Sequence, residues 1–166
     1  LDLTSPSSNA TLGTNVAHRL TITDDDGVPE LNFASATGSG AENVTPHLIS
    51  MSLSHASSSN IVVNFTDVLG TAEAPDYTIA STTVTIPAFA TSLDISAVIA
   101  NDAIYEGDET FVLTLQSASG GTTLGATNIH THTITEDDTL PSINFASATT
   151  SASEGTSPHN LALTLS

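Results

Sequence analysis

The feature that most constrains this chain is an internal repeat. Residues 1–54 align without a gap on residues 113–166, and 26 of the 54 aligned pairs are identical. The stretch Asn32–Thr37 returns unchanged as Asn144–Thr149, at a constant offset of 112 residues. A fixed period indicates repeated units, and this period is the length of a whole small domain, not of one solenoid turn. The sequence therefore predicts a tandem repeat of about 112 residues.

Alternation of apolar and polar residues predicts strands throughout the chain. The clearest runs are Ile49–Leu53, Ile61–Phe65, Leu93–Ile99 and Phe111–Leu115. Period-two alternation is typical of strands with one buried face, and clusters of turn residues separate these runs. About seven short strands at this spacing predict an all-β, antiparallel β-sandwich.

The repeat also predicts the domain boundaries. A complete domain covers residues 27–138, residues 1–26 are the last two strands of a preceding repeat, and residues 139–166 are the first two strands of a following one. Two strands cannot bury a sheet face alone. We therefore expect neighbouring copies of the repeat as partners, either in cis or between subunits by strand complementation.

The charge balance excludes several classes of partner. The chain has 18 acidic residues, no Lys and a single Arg, Arg19, for a net charge of −17. Nucleic acids and anionic membrane surfaces both require many cationic side chains, so neither is a partner. No apolar run approaches the length of a membrane helix, so membrane insertion is not expected.

Two further features favour an extracellular or cell-surface location. The acceptor motif for N-glycosylation begins at Asn9, Asn43 and Asn64, and the chain is rich in Ser and Thr. The chain has no Cys, so disulfides cannot hold the fold.

The acidic residues concentrate where predicted strands begin or end. Alternate strand ends of an antiparallel sandwich meet at one tip, where unneutralised carboxylates would repel one another. Ca²⁺ takes about six to eight oxygen ligands, so it suits such a cluster better than Mg²⁺ or a soft metal. The candidates are Glu42, Asp76, Asp102, Glu106, Glu136, Asp137 and Asp138, and the corresponding acidic run at the preceding junction is Asp24, Asp25 and Asp26.

An ordered set of short motifs resembles the Calx-β domain across residues 27–138. The most specific part is Tyr105–Leu115, and the others are Thr71-Ala72 before Asp76-Tyr77, then Val84–Pro87, Asp102 before Glu106–Phe111, Leu124-Gly125 and Ile134–Asp138. The resemblance implies an immunoglobulin-like sandwich that binds Ca²⁺ at one tip through the seven carboxylates named above. The sequence departs from the family pattern at Glu42-Asn43, where the family usually has Glu-Gly, although Glu154-Gly155 keeps it.

Other candidate sites are weaker. His130 and His132 point to one face of a strand and could hold a metal, but His132 corresponds to Leu20 in the first copy, which favours a packing role. His47 and His159 each follow a Pro and indicate a repeated turn. The chain has no nucleophile elbow around a Ser, so we expect no enzyme activity.

Together these features predict a structural repeat of an extracellular fibre, stalk or adhesin, in which Ca²⁺ rigidifies acidic junctions between domains. One alternative is a reversible Ca²⁺-binding sensor or regulatory module, although tandem repetition argues against it. Another is a carbohydrate-binding module, which the scarcity of aromatic residues makes weaker: there are five Phe, two Tyr and no Trp.

Overall fold

The computed structural model describes residues 1–4, 6–23 and 25–166, and the predicted junction residue Asp24 lies outside them. The all-β prediction is confirmed, because every regular element in the described part of the chain is a strand. No helix there is long and apolar enough to cross a membrane. The strands are β1 (Glu30–Phe33), β2 (Thr37–Ala41), β3 (His47–Leu53), β4 (Ile61–Leu69), β5 (Tyr77–Ile79), β6 (Thr83–Ile86), β7 (Ser92–Ile99), β8 (Glu109–Ala118), β9 (Thr123–Leu124), β10 (Ile129–Thr135), β11 (Ile143–Phe145) and β12 (Leu163–Leu165).

Strands β1 to β10 form two five-stranded sheets of a β-sandwich. The first sheet has the order β5-β7-β3-β1-β9 and the second β2-β10-β8-β4-β6. The pairing is mixed, not purely antiparallel, because β2 runs parallel to β10 and β9 runs parallel to β1. The short connection 34–36 carries the chain from the first sheet to the second, so β2 cannot return as a hairpin beside β1.

The alternating residues of both sheets form one core between them. In β3, Ile49, Met51 and Leu53 are buried, and the polar residues between them face outward or are half-buried. The ring of Tyr77 stacks on Phe111 at 4.1 Å between centroids, which joins the two sheets. Each fully buried large apolar side chain contributes roughly 1.5–3 kcal/mol, so the core supplies the main stabilisation of the sandwich.

The flanking segments reproduce pairings of the central domain at the repeat offset. Strand β11 pairs with β12 through Ile143 and Leu165, and the equivalent pair in the central domain is Leu31 and Leu53. In the first segment, the two predicted strands reduce to one bridge between Asp2 and Ala17 among the described residues. That bridge is equivalent to the pairing of Thr114 with Ile129 in β8 and β10.

These flanking pairs lack the opposing sheet that would cover them. Phe145 is 63% exposed, whereas its equivalent Phe33 is 2% exposed. Leu1 is 99% exposed, whereas its equivalent Leu113 is fully buried. Each flank therefore exposes apolar side chains whose equivalents in the central domain are buried.

Candidate metal centre

One end of the sandwich gathers carboxylates from five strand ends. Glu42 follows β2 and Asp102 lies beyond the end of β7, while Asp76 directly precedes β5. The segment 106–109 leads into β8, and the segment 136–138 follows β10. These ends meet because β2, β10 and β8 are neighbours in one sheet while β5 and β7 are neighbours in the other.

Three groups of carboxylates at this end are close enough to share a cation. Within each group, one oxygen of every member lies within 4.8 Å of those of the others. The groups are Glu42 with Asp102 and Asp138, Glu42 with Glu136 and Asp137, and Asp76 with Glu106 and Glu109. Glu42 is the common member of the first two groups and is buried, with 8% exposure. All seven sequence-predicted carboxylates therefore lie in these groups.

Backbone hydrogen bonds hold the carboxylates in place. The Asp102 N–H donates to Glu42 Oε1 at 3.0 Å, which ties the loop after β7 to the end of β2. The N–H groups of Glu106 and Gly107 both donate to Glu136 Oε2, at 2.6 and 2.8 Å. Gly107 has a φ of +85°, which glycine adopts without steric cost, so this turn is shaped around the Glu136 carboxylate.

The electrostatics of this end divide the carboxylates into two kinds. Backbone hydrogen bonds, from Asp138 above all, hold the pKa of Glu136 below its usual value, so Glu136 is stabilised as an anion by the protein itself. Desolvation by burial raises the pKa of Glu42, and neighbouring carboxylates raise it further. Desolvation and a hydrogen bond with Asp76 raise the pKa of Glu109 to about 7.

Two further carboxylates, Glu106 and Asp138, follow the second pattern. Desolvation and the adjacent acids also raise the pKa values of Glu106 and Asp138. Raised values mean that the protein by itself disfavours the full set of negative charges, and a bound cation would relieve that cost.

Two observations show that the donor set fits Ca²⁺. Asp138 Oδ2 is buried without a hydrogen-bond partner, and a buried carboxylate oxygen in that state needs a cation or a donor. A cavity of about 10 Å³, close to the space of one water-sized particle, is lined by Glu42, Asp76, Glu106, Glu109 and Glu136. All the side-chain donors are hard oxygens, as Ca²⁺ requires.

The structure adds Glu109 to the set that the sequence indicated. Glu109 is the first residue of β8 and pairs with Ile134 across to β10. The signal that could have found it is the alternation in β8, because Glu109 lies two residues before buried Phe111 and so shares its inward face. Asp25 and Asp26 of the preceding junction are exposed and lie outside the three groups.

The three candidate glycosylation residues Asn9, Asn43 and Asn64 are exposed. Asn43 differs from the others because its Nδ2 donates a hydrogen bond to Asp137 Oδ2. A glycan on Asn43 would therefore compete with an interaction at the acidic end, whereas glycans on Asn9 or Asn64 would not.

Fold and site together define a class: an immunoglobulin-like β-sandwich with a cluster of carboxylate oxygens at one end. The model of the Calx-beta domain matches residues 24–138. The chain belongs to the Calx-beta domain family.

Solved structures support the same fold. The apo-form Calx CBD1 domain is 20% identical, with a TM-score of 0.61, and the match covers 68% of this chain and all of that one. The calcium binding domain CBD12 of CALX1.1 is 21% identical with a TM-score of 0.61, covering 76% of this chain and 53% of that one. The Calx CBD2 domain is 13% identical with a TM-score of 0.59, covering 64% and 86%. Among curated proteins, none matches the chain.

Proposed function

We propose that the chain is a segment of an extracellular array of Calx-beta domains, and that Ca²⁺ held at the acidic end of each domain stiffens its connection to the next. One observation carries the proposal: the candidate ligands are part of the connection itself. Asp137 and Asp138 follow the last strand of the central domain, and β11 of the following unit begins at Ile143.

The repeat supports the array. The flanking segments pair in the registers of the central domain, and their apolar faces match faces that the central domain buries. Neighbouring copies of the repeat would supply the missing layers, either along one polypeptide or by strand complementation between subunits. Such an array has a structural role, as in a fibre, stalk or adhesin, and requires no catalytic residue.

The loop that supplies Asp102 also borders the following unit. Ile104 and Tyr105 are 61% and 42% exposed. Together with Asp138, Pro141 and Leu165, these two residues line a gap of about 440 Å³ next to the β11–β12 pair. Ordering of this loop would therefore restrict the motion of the first strands of the next domain.

The physical effect follows from the charges at the junction. Without a cation, Glu42, Asp102 and Asp138 repel one another, and this repulsion acts against the hydrogen bond from Asp138 N–H to Glu136 Oε1 that holds the chain after β10. With Ca²⁺ bound, the same three residues would tie that chain to β2 and to the loop after β7. The cation would stabilise the folded state by mass action, because the unfolded chain has no such cluster.

The test compares residues 1–166 with Ca²⁺ and with a chelator. We expect Ca²⁺ to raise the melting temperature and to slow proteolytic cleavage of the linker 139–142, with a dissociation constant near the ~10⁻⁴–10⁻³ M of extracellular modules. Asp138→Asn should remove both effects. Asp94→Asn is the matched control, because Asp94 is exposed on β7 and bonds to Ser50. Equal melting and equal cleavage with and without Ca²⁺ would refute the proposal.

A reversible sensor is the second candidate function. It is favoured by the structural likeness to domains that are described as calcium-binding in Calx. Sensor sites bind Ca²⁺ at about 10⁻⁷–10⁻⁵ M, so the measured affinity separates the two functions. Submicromolar binding would favour the sensor, and binding near a millimolar would favour the array.

A further inference from the structure

Three buried histidines from β3 and β10 form a continuous row of ring contacts between the two sheets. His130 and His132 lie on β10 and His47 begins β3, and they are only 4%, 4% and 6% exposed. His132 Nε2 lies 2.9 Å from His47 Nδ1, and His130 Nε2 lies 3.3 Å from His132 Nδ1. The predicted packing role of the two β10 histidines leaves this chain of ring nitrogens unexplained.

The two outer histidines, His130 and His47, each contact a backbone carbonyl, and these contacts fix which ring nitrogens carry hydrogen. His130 Nδ1 lies 2.8 Å from the Ser35 carbonyl, and His47 Nε2 lies 3.1 Å from the Ala41 carbonyl. A carbonyl oxygen only accepts, so both of these ring nitrogens must carry the hydrogen. In the neutral rings, His130 Nε2 and His47 Nδ1 are therefore left as acceptors.

One of the two contacts between the imidazole rings then lacks a hydrogen atom. Neutral His132 carries a single ring hydrogen, which can serve only one of its two neighbours. The shorter contact, to His47, is the hydrogen bond, so His132 Nδ1 also bears a lone pair. His132 Nδ1 and His130 Nε2 thus face each other at 3.3 Å as two acceptors in a buried place. Such a pair needs a donor or a cation, and one metal ion between its members would satisfy both lone pairs at once.

The geometry of this pair suits a metal ion. Two Zn–N bonds of about 2.0–2.1 Å at a tetrahedral angle place their nitrogens about 3.3–3.4 Å apart. The remaining N–H groups of both rings donate to a carbonyl oxygen or to a further imidazole, which is the usual outer support of a metal-binding histidine.

Glycine in β2 leaves room beside the two nitrogens. A Cβ on Gly38 would lie 3.0 Å from His132 Nδ1 and 3.1 Å from His130 Nε2, so the missing side chain leaves a space facing both. A pocket of about 230 Å³, lined by Gly38, Ser39 and Ser50 as well as by the two histidines, connects this space with solvent. The pocket offers an entry path and room for water ligands in the open coordination positions.

We propose that His130 and His132 form a binding site for one borderline divalent metal ion such as Zn²⁺, separate from the acidic end and supported by His47. The rings of Phe33 on β1 and Phe111 on β8 lie against His130 and His132, with centroids 5.5 and 5.2 Å apart, so these two strands add no oxygen donor there. Imidazole nitrogens suit Zn²⁺ better than Ca²⁺, which prefers oxygen ligands. The site belongs to the central repeat, because Leu20 replaces His132 in the preceding copy and Thr150 replaces Gly38 in the following one.

The repeat itself supplies the test variants. Zn²⁺ is titrated by calorimetry into residues 1–166 at pH 7.5 with Ca²⁺ in saturating excess, so that the carboxylates are occupied. We expect about one equivalent of Zn²⁺ to bind to the unaltered chain. His132→Leu and Gly38→Thr, which place at these positions residues found elsewhere in the repeat, should each abolish it. His55→Ala is the control, because His55 is exposed and should leave Zn²⁺ binding unchanged.

A second measurement keeps the result independent of folding defects. A melting transition like that of the unaltered chain shows that each variant is folded. Zn²⁺ binding is measured separately from the effect of Ca²⁺ on melting, so the metal-site proposal can fail or succeed independently of the proposed function. Long-range ¹H–¹⁵N spectra of the imidazoles should show Nδ1–H for His130 and Nε2–H for His132, with both signals shifting on addition of Zn²⁺. Absence of Zn²⁺ binding up to millimolar concentration, or unchanged binding by folded His132→Leu and Gly38→Thr, would overturn the proposal.

Discussion

Replacing Glu109 by Gln should have opposite effects on the Ca²⁺-free and the Ca²⁺-loaded protein. Glu109 is half-buried at the start of β8, and its pKa is raised from 4.5 to about 7 by desolvation and by Asp76. A raised carboxyl pKa means that the folded state binds the proton more tightly than the unfolded state does. In the Ca²⁺-free protein, this residue therefore costs stability increasingly as pH rises from about 4.5 to about 7.

The size of the effect follows from that shift. A change from 4.5 to about 7 corresponds to roughly 3 kcal/mol at about 1.4 kcal/mol per pKa unit. Part of that shift comes from the neighbouring carboxylates and not from burial of Glu109, so we assign about half, or about 1–2 kcal/mol, to Glu109 itself. The glutamine side chain of the variant resembles the protonated acid and can still donate to Asp76. The melting temperature of Glu109→Gln in chelator at pH 8 should thus rise by about 5–10 °C.

The assay is a set of thermal melts of residues 1–166 at pH 8 and pH 4.5, each in chelator and, at pH 8, also in Ca²⁺. The gain of Glu109→Gln in chelator should disappear at pH 4.5, and its melting temperature should respond less to Ca²⁺ at pH 8. Glu30→Gln is the matched control, because Glu30 is exposed at the start of β1, beside the end of β3, whereas the acidic end lies near the start of β3. A loss of stability in chelator at pH 8, or a full response to Ca²⁺, would refute the reasoning.

Three further predictions concern the core and the histidine chain. Burial lowers the pKa of His132 to about 4, so its contribution to stability is complete above pH 6.5 and is lost as pH falls towards 4. The melting temperature of His132→Leu should therefore depend less on pH across that range than the melting temperature of the unaltered chain does. Gly40→Ala should lower stability by about 1–3 kcal/mol, since its Cβ would clash with His47, whereas Gly13→Ala meets nothing within 4 Å and should not; urea unfolding measures both. Phe111→Ala should cost about 3–5 kcal/mol in the same urea experiment, because Phe111 is fully buried between the sheets; a loss below 1 kcal/mol would contradict the assigned core.

The alternating residues predicted most of the core correctly. Ile49, Met51 and Leu53 are buried on one face of β3, and Ile95 and Ile99 are buried in β7. This success has a local cause, since the side-chain direction in a strand depends only on position along it. The parallel pairing of β2 with β10 was missed, because it depends on where the chain crosses between sheets.

The candidate metal centre was likewise predicted in part from local pattern, and the rest depended on tertiary structure. Strand ends alone pointed to Glu42, Asp102 and Asp138, which the structure places within one group of carboxylates. Glu109 was missed because it is the first residue of β8 and was counted with the strand instead of with the turn before it; the pairing with Ile134 places it at the acidic end.

By itself, the sequence determined the all-β class and the concentration of acids at strand ends, because both follow from composition and local period; the tandem repeat that its internal similarity indicates stays a prediction. Tertiary structure decided which groups meet. His47 looked like part of a repeated turn, yet the packing of one sheet on the other places its ring against His132 on β10. Contacts between residues 85 positions apart are set by the stacking and register of both sheets, and no local pattern in either segment encodes that geometry.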